Sequence, residues 1–157
     1  MNSIMLLVAV LFLFALILAF IKALSQREPS IWPFYPRKPL SPPEQILYFR
    51  LRKALPEHIV LAQVQLSRFL AVKKGNNFQS WLNRINRMSA DFVICNKDAS
   101  VLAVIELDDA THNSKTRQQA DNKKDKAISS AGLRIIRWNV KSMPDEQTIR
   151  NSLVPTA

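Results

Sequence analysis

Three carboxylates carry most of the chemical content of this 157-residue sequence. Asp91 opens the run Asp91-Phe92-Val93-Ile94-Cys95, and Glu106 and Asp108 close the run Val101-Leu102-Ala103-Val104-Ile105-Glu106-Leu107-Asp108. Both runs are short and rich in Val and Ile, the composition of strands. Asn96-Lys97-Asp98-Ala99-Ser100 between them has turn composition, which predicts an antiparallel hairpin with Asp91 near Glu106 at its open end. Two acids held there form a hard-oxygen site for Mg²⁺ or Mn²⁺. Such a site polarises a phosphate and lowers the pKa of a bound water, which is the chemistry of phosphodiester hydrolysis in nucleic acid.

The neighbours of these acids extend the site. Glu106 and Asp108 are two residues apart and share a face on a regular strand, while Leu107 turns to the core and offers its backbone carbonyl as a further ligand. Asp109 is read as a turn residue pointing away. A solvated strand end is the common state of any single acid; two acids ending an apolar run, with a third on the partner strand, fit that state less well. A lone histidine is more often a surface residue than a ligand. His112, close behind the acids, is nonetheless a candidate to orient water or protonate a leaving oxygen. Downstream, Asp121, Lys124, Asp125 and Ile128 fall at i, i+3, i+4 and i+7, one stripe of a helix. Ile128 belongs against the sheet, which draws Lys124 and Asp121 toward the acids, whereas Lys123 and Lys126 are read as ordinary ion-pair partners. Arg137 ends a later strand on the alternate face from Ile136, to support the site or pack across it.

These residues require a frame. Ser41-Pro42-Pro43-Glu44 is a helix start, with Ser as N-cap, Pro in the first turn and an acid behind it. That helix runs to about Leu55, with Ile46, Leu47, Phe49, Leu51, Ala54 and Leu55 as its apolar positions, and Pro56 ends it. A strand over Ile59–Val64, a short helix or turn over Leu66–Val72, and a polar loop with some helical content over Lys73–Ser89 lead to the hairpin. A helix capped by Ser114 then reaches Ala131, where Gly132 stops it. Leu133–Trp138 is the last strand, and a short helix begins after Pro144. The order α-β-β-β-α-β-α predicts a mixed α/β domain with one sheet flanked by helices.

Ahead of the domain, Ile4 to Ile21 contains no charge, Pro or Gly. Eighteen residues rise about 27 Å as a helix, close to the thickness of a bilayer core. A cleaved signal peptide fits less well, because no basic residue precedes the run and no small-x-small site follows it. Residues 1–24 are therefore read as a single-pass transmembrane anchor, 25–42 as a stiff Pro-rich linker, and 43–157 as the domain. Lys22, Arg27, Arg37 and Lys38 all follow the span, so the expected orientation is N-terminus out and domain cytoplasmic at the inner membrane. Trp32, Phe34 and Tyr35 would rest at headgroup level or pack on the domain. Cys95, the single cysteine, has no disulfide partner. The chain carries +10 overall. Residues 1–40 hold 4 of its 22 cations and 1 of its 12 anions, which leaves +7 on the remainder. Between Glu57 and Asp91 there is no acid, but Arg68, Lys73, Lys74, Arg84 and Arg87 occur, interleaved with Phe78 and Trp81. That is the pattern of a nucleic-acid groove, and equally of a solvated face near lipid headgroups.

Taken together, Asp91-Phe92-Val93-Ile94, Ile105-Glu106-Leu107-Asp108-Asp109-Ala110-Thr111-His112, Asp121-Asn122-Lys123-Lys124-Asp125 and Ala131-Gly132-Leu133-Arg134-Ile135-Ile136-Arg137 resemble the restriction-endonuclease-like superfamily of PD-(D/E)xK nucleases. More narrowly they look like the bacterial DUF2726 domains, kin to the very-short-patch-repair-like and DUF559 groups. The resemblance covers nearly all of residues 41–140. It implies a central mixed four-stranded sheet flanked by helices, acting on DNA through bound Mg²⁺, with Asp91 and Glu106 as the metal-binding acids. The superfamily's lysine falls at position 108, here Asp108, and Lys124 on the following helix would replace it. The readings left open are a membrane-anchored nuclease, a non-catalytic module binding nucleic acid or a protein partner at the membrane, and an adaptor for anionic lipid.

Overall fold

The computed structural model describes residues 2–25, 31–109 and 115–153. The chain divides into two units, Met1–Arg37 and Lys38–Ala157. The first contains α1 (Asn2–Ser25), a helix long and apolar enough to cross a membrane, with its large apolar side chains exposed along the length. Trp32, Phe34 and Tyr35 after it are also exposed, and the Trp32 and Phe34 rings lie 5.8 Å apart.

The second unit is a four-stranded mixed sheet with helices on both faces. It begins with α2 (Pro42–Ala54), whose start is a complete capping box: the Ser41 amide and hydroxyl both donate to Glu44 Oε2, each at 2.6 Å. Leu47, Leu51, Ala54 and Leu55 are buried, whereas Ile46 and Phe49, apolar positions of the same helix, are exposed. Helical period explains the difference, since 46 and 49 lie off the 47–51–54 stripe. Strand β1 (Ile59–Gln65) follows, then a single 3₁₀ turn over Leu66–Arg68. The stretch expected to be mostly loop contains a capped helix, α3 (Phe78–Ile85), with Asn77 Oδ1 accepting from the Ser80 amide at 2.9 Å.

The hairpin β2 (Ser89–Cys95) and β3 (Val101–Asp108) is present, with β2 starting two residues before Asp91. Its turn closes through Asn96 N to Ser100 O at 2.9 Å, and Ala99 takes a left-handed φ of 65° there. Helix α4 (Lys115–Ser130) crosses to β4 (Ile135–Asn139), which pairs parallel with β3. Gly132, at φ 75°, ends α4 in the left-handed conformation that favours glycine. The strand begins later than the apolar sequence because Leu133 is used in that stop, its amide bonding Ile128 O. Asp145 caps α5 (Glu146–Leu153) through the Thr148 amide at 2.8 Å. The sheet order is β1-β2-β3-β4. One face packs Phe92, Ile94, Ala103 and Ile105 under α2 and α5; the other packs Val93 and Val104 with Ile128 of α4. Buried Cys95, its thiol pushed up by that burial, is part of the second core.

Candidate active site

The register places a polar row across an apolar sheet. Phe92 pairs with Ile105 and Ile105 with Ile136, and Ala62 completes a wholly apolar line. One step along each strand, Glu106 pairs with Arg137, Asp91 and Glu106 adjoin the paired Phe92 and Ile105, and Gln63 and Asp91 lie between the pairs Ala62–Phe92 and Val64–Ala90. Every strand thus contributes one polar residue at a single level. The hairpin delivers Asp91 and Glu106 to its open end as its composition predicts.

Glu106 is the one buried charged residue among those described, at 3 % exposure. Its Oε2 accepts from Lys124 Nζ at 2.5 Å, and Lys124 also bonds the Ser89 carbonyl at 3.2 Å. Its Oε1 is buried with no hydrogen-bond partner, an arrangement that costs roughly 1–3 kcal/mol if nothing else satisfies it. Burial pushes the Glu106 carboxyl up to about 7, against the pull of Lys124, and the neighbouring Asp91 charge adds to the rise. Burial also raises Asp91, opposed by the Leu107 amide, which donates to Asp91 Oδ2 at 2.8 Å, and by Lys124.

Around this pair lies a cleft of about 400 Å³ between the start of α2 and the side of α4. Asp91, Glu106, Leu107, Asp108, Asp121 and Lys124 line it, as do two acids the sequence reading left out of the site. Asp109, expected to point away, is on the wall. Glu44 is there because the capping box turns its carboxylate back over Ser41, and its Oε1 accepts from Gln63 Nε2 at 2.7 Å. Gln63 has φ 52° inside β1, a left-handed conformation rare for a non-glycine residue and costing on the order of 1–2 kcal/mol. The available signal was a lone polar residue inside Ile59-Val60-Leu61-Ala62-Gln63-Val64.

The remaining candidates divide. Asp108 is about half exposed and pairs with Arg137 at 3.2 Å; Arg137 also holds Asp125 at 2.6 Å, so this arginine neutralises the far side of the site. His112 lies outside the described residues. Arg68, Lys73, Lys74, Arg84 and Arg87 are exposed and form no part of the cleft wall, although Arg87 comes two residues before Ser89, to which Lys124 reaches. A larger depression of about 490 Å³, lined by Arg50, Asp145, Glu146, Gln147 and Arg150, lacks comparable chemistry. There Asp145 is used as a cap and Glu146 is paired with Lys53 at 2.8 Å.

Among the described residues no group of three His, Cys, Asp or Glu side chains is arranged to hold a metal by itself. The residues nonetheless fit a hexahydrate-like cation such as Mg²⁺, which keeps several waters and uses one or two carboxylates. The unsatisfied Glu106 Oε1 and the Asp91 carboxylate would supply the anionic oxygens, and a cation would oppose the rise of both carboxyls. A family model described as "Protein of unknown function (DUF2726)" matches residues 37–156. No curated protein and no solved structure matches the chain.

Proposed function

The chain belongs to the DUF2726 family, and we propose that its second unit is a metal-dependent phosphodiesterase acting on nucleic acid, DNA in the first instance, with a restriction-endonuclease-like, PD-(D/E)xK arrangement. The observation that carries this reading is the buried Glu106 Oε1, without a partner, next to a second buried-side carboxylate and a lysine. Stability alone does not account for such a group, since a glutamine or an apolar residue would cost less there.

Asp91 and Glu106 would hold Mg²⁺ or Mn²⁺, with the Leu107 carbonyl within the same segment of β3. The cation would polarise the phosphate and lower the pKa of an attacking water. The chain's own contributions are separate. The Leu107 amide fixes the Asp91 carboxylate, and Glu106 is held rigid by the packed strand. Lys124, released from Glu106 when that charge is otherwise neutralised, brings an ammonium to the phosphate and stabilises the charge developing on it. This is the role the lysine at position 108 would have filled; Asp108 instead pairs with Arg137. The exposed cations Arg68, Lys73, Lys74, Arg84 and Arg87 would hold the backbone, through a salt-dependent term independent of sequence. In this proposal α1 anchors the protein in the inner membrane with the domain cytoplasmic.

The second reading, a non-catalytic module that binds nucleic acid or a protein partner, is favoured by one observation. Lys124 already pairs with Glu106. The deciding experiment incubates full-length protein in detergent with Mg²⁺ or Mn²⁺ and single- and double-stranded DNA and RNA. Metal-dependent cleavage is expected. Binding without cleavage under any metal would establish the second reading.

A further inference from the structure

Helix α3 carries an apolar stripe that runs off the core. Phe78, Trp81, Leu82 and Ile85 stand at i, i+3, i+4 and i+7, one face of the helix. At its C-terminal end Ile85, with Met88 beyond it, packs on the α4-side core. At its N-terminal end Phe78 is 60 % and Trp81 48 % exposed. What remains uncovered is therefore two aromatic rings, and the Arg84 guanidinium lies 4.5 Å from the centre of the Trp81 ring. Lys73, Lys74 and Arg87, close to α3 in the chain, are exposed as well, and no acid occurs in the sequence between Glu57 and Asp91.

We infer that this end of α3 is a stacking platform for unpaired nucleotides, so that the substrate of the cleft contains a single-stranded segment. The inference rests on the nucleic-acid reading of the cleft and names the class of its substrate. Rings flanked by cations match a single strand, whose bases stack on aromatic faces while its phosphates meet Lys and Arg. A regular duplex hides its base faces in its own stack, so it would engage the cations and leave the rings idle. An anionic lipid surface also attracts cations and aromatics, but α3 spans only 8 residues, about 12 Å. Its exposed flank carries the amides Gln79 and Asn83 in place of the long apolar ridge of an interfacial helix. Proximity in the chain supports the nucleic acid: three residues separate the end of α3 from Ser89, whose carbonyl Lys124 of the cleft bonds.

The test is binding without divalent cation, so that cleavage plays no part. Full-length protein in neutral-lipid nanodiscs is titrated into a fluorescently labelled thymidine 15-mer and into a duplex of the same length, followed by anisotropy. The single strand should bind more tightly, and Trp81→Ala and Phe78→Ala should each weaken it about tenfold, the loss of one stacked base. Both should leave the duplex affinity unchanged, and Trp81→Phe should restore most of the single-strand binding. Equal affinity for both forms, or equal losses on both, would overturn the inference. So would Trp81→Ala variants that keep oligonucleotide binding but lose adsorption to phosphatidylserine vesicles. Failure to cleave with single-strand stacking intact would count against the catalytic reading alone.

Discussion

At the closed end of the β2–β3 hairpin, Asp98 lies in solvent, accepts from the Ser100 amide and hydroxyl at 3.0 and 2.6 Å, and has its carboxyl held below the usual range by those bonds. Glu57, exposed beside it, is likewise lowered by Lys97. At the open end of the same hairpin, Asp91 and Glu106 are both pushed up, and the cause in each is burial. The two ends are built from the same side-chain chemistry on one supersecondary unit. They differ in exposure: the turn acids are open to solvent, with Asp98 Oδ1 accepting from Ser100, whereas at the cleft Glu106 Oε1 is buried without a hydrogen-bond partner.

The largest effect that separates the ends is catalytic. Asp91→Asn combined with Glu106→Gln should lower metal-dependent cleavage on the order of 10³-fold, the several kcal/mol that charge stabilisation at a phosphate supplies. Asp98→Asn, the matching change at the closed end, should leave it unaltered. A time course on the same DNA substrate reads both, and a comparable loss from Asp98→Asn would erase the distinction.

Next in size is Lys124→Ala. Turnover should fall on the order of 10² with little change in DNA affinity, because the lost ammonium acts on the transition state. Lys123→Ala, exposed on the same helix, should change neither. The variant has a second signature: without Lys124 less opposes the burial of Glu106, so its carboxyl is pushed up further and the rising limb of the pH–rate profile moves to higher pH. Identical profiles for both variants would make α4 a solvated basic face.

The third expectation concerns stability without metal. Glu106 titrates near 4.5 when unfolded and near 7 when folded, so the folded protein binds the extra proton between those values. Stability should therefore be highest at the acid side of that window and fall as pH rises from about 4.5 to about 7. Mn²⁺ should restore it at the upper end, and Glu106→Gln should flatten the slope. Thermal melts across this range read the outcome; a slope unaffected by Glu106→Gln would place its origin elsewhere. The smallest effect belongs to the turn. Ala99→Gly should relieve the left-handed backbone and stabilise by about 0.5 kcal/mol or less, after the greater freedom of an unfolded glycine is set against it.

How far the sequence disclosed this arrangement differs by element. The hairpin, the α2 cap, the α4 stop and the meeting of Asp91 with Glu106 were legible, because alternation, capping residues and a glycine stop are local signals. Helix α3 was underestimated: its amide-rich sequence has weak helical propensity, and Asn77 capping with Ile85 packing decides it. Which apolar residues of α2 face the core follows from helical projection, which leaves Ile46 and Phe49 exposed. Glu44, on the cleft wall, and its partner Gln63 were missed for a longer-range reason. Their contact joins α2 to β1, and Gln63 owes its position to a left-handed residue that no propensity foretells. Asp108 lines the cleft beside Glu106, as its spacing suggested, but its pairing with Arg137 of β4 was not legible, because only the assembled sheet supplies that parallel register.

The claim on which the rest depends is that the open end of the hairpin is a divalent-cation site. Calorimetric titration of Mn²⁺ into full-length protein at pH 7.5, beside the Asp91→Asn, Glu106→Gln double variant, tests it most directly. One saturable site is expected in the unmodified protein, with proton release as the raised carboxyls ionise, and no binding in a double variant that remains folded. Equal Mn²⁺ affinity in the two proteins would contradict the account.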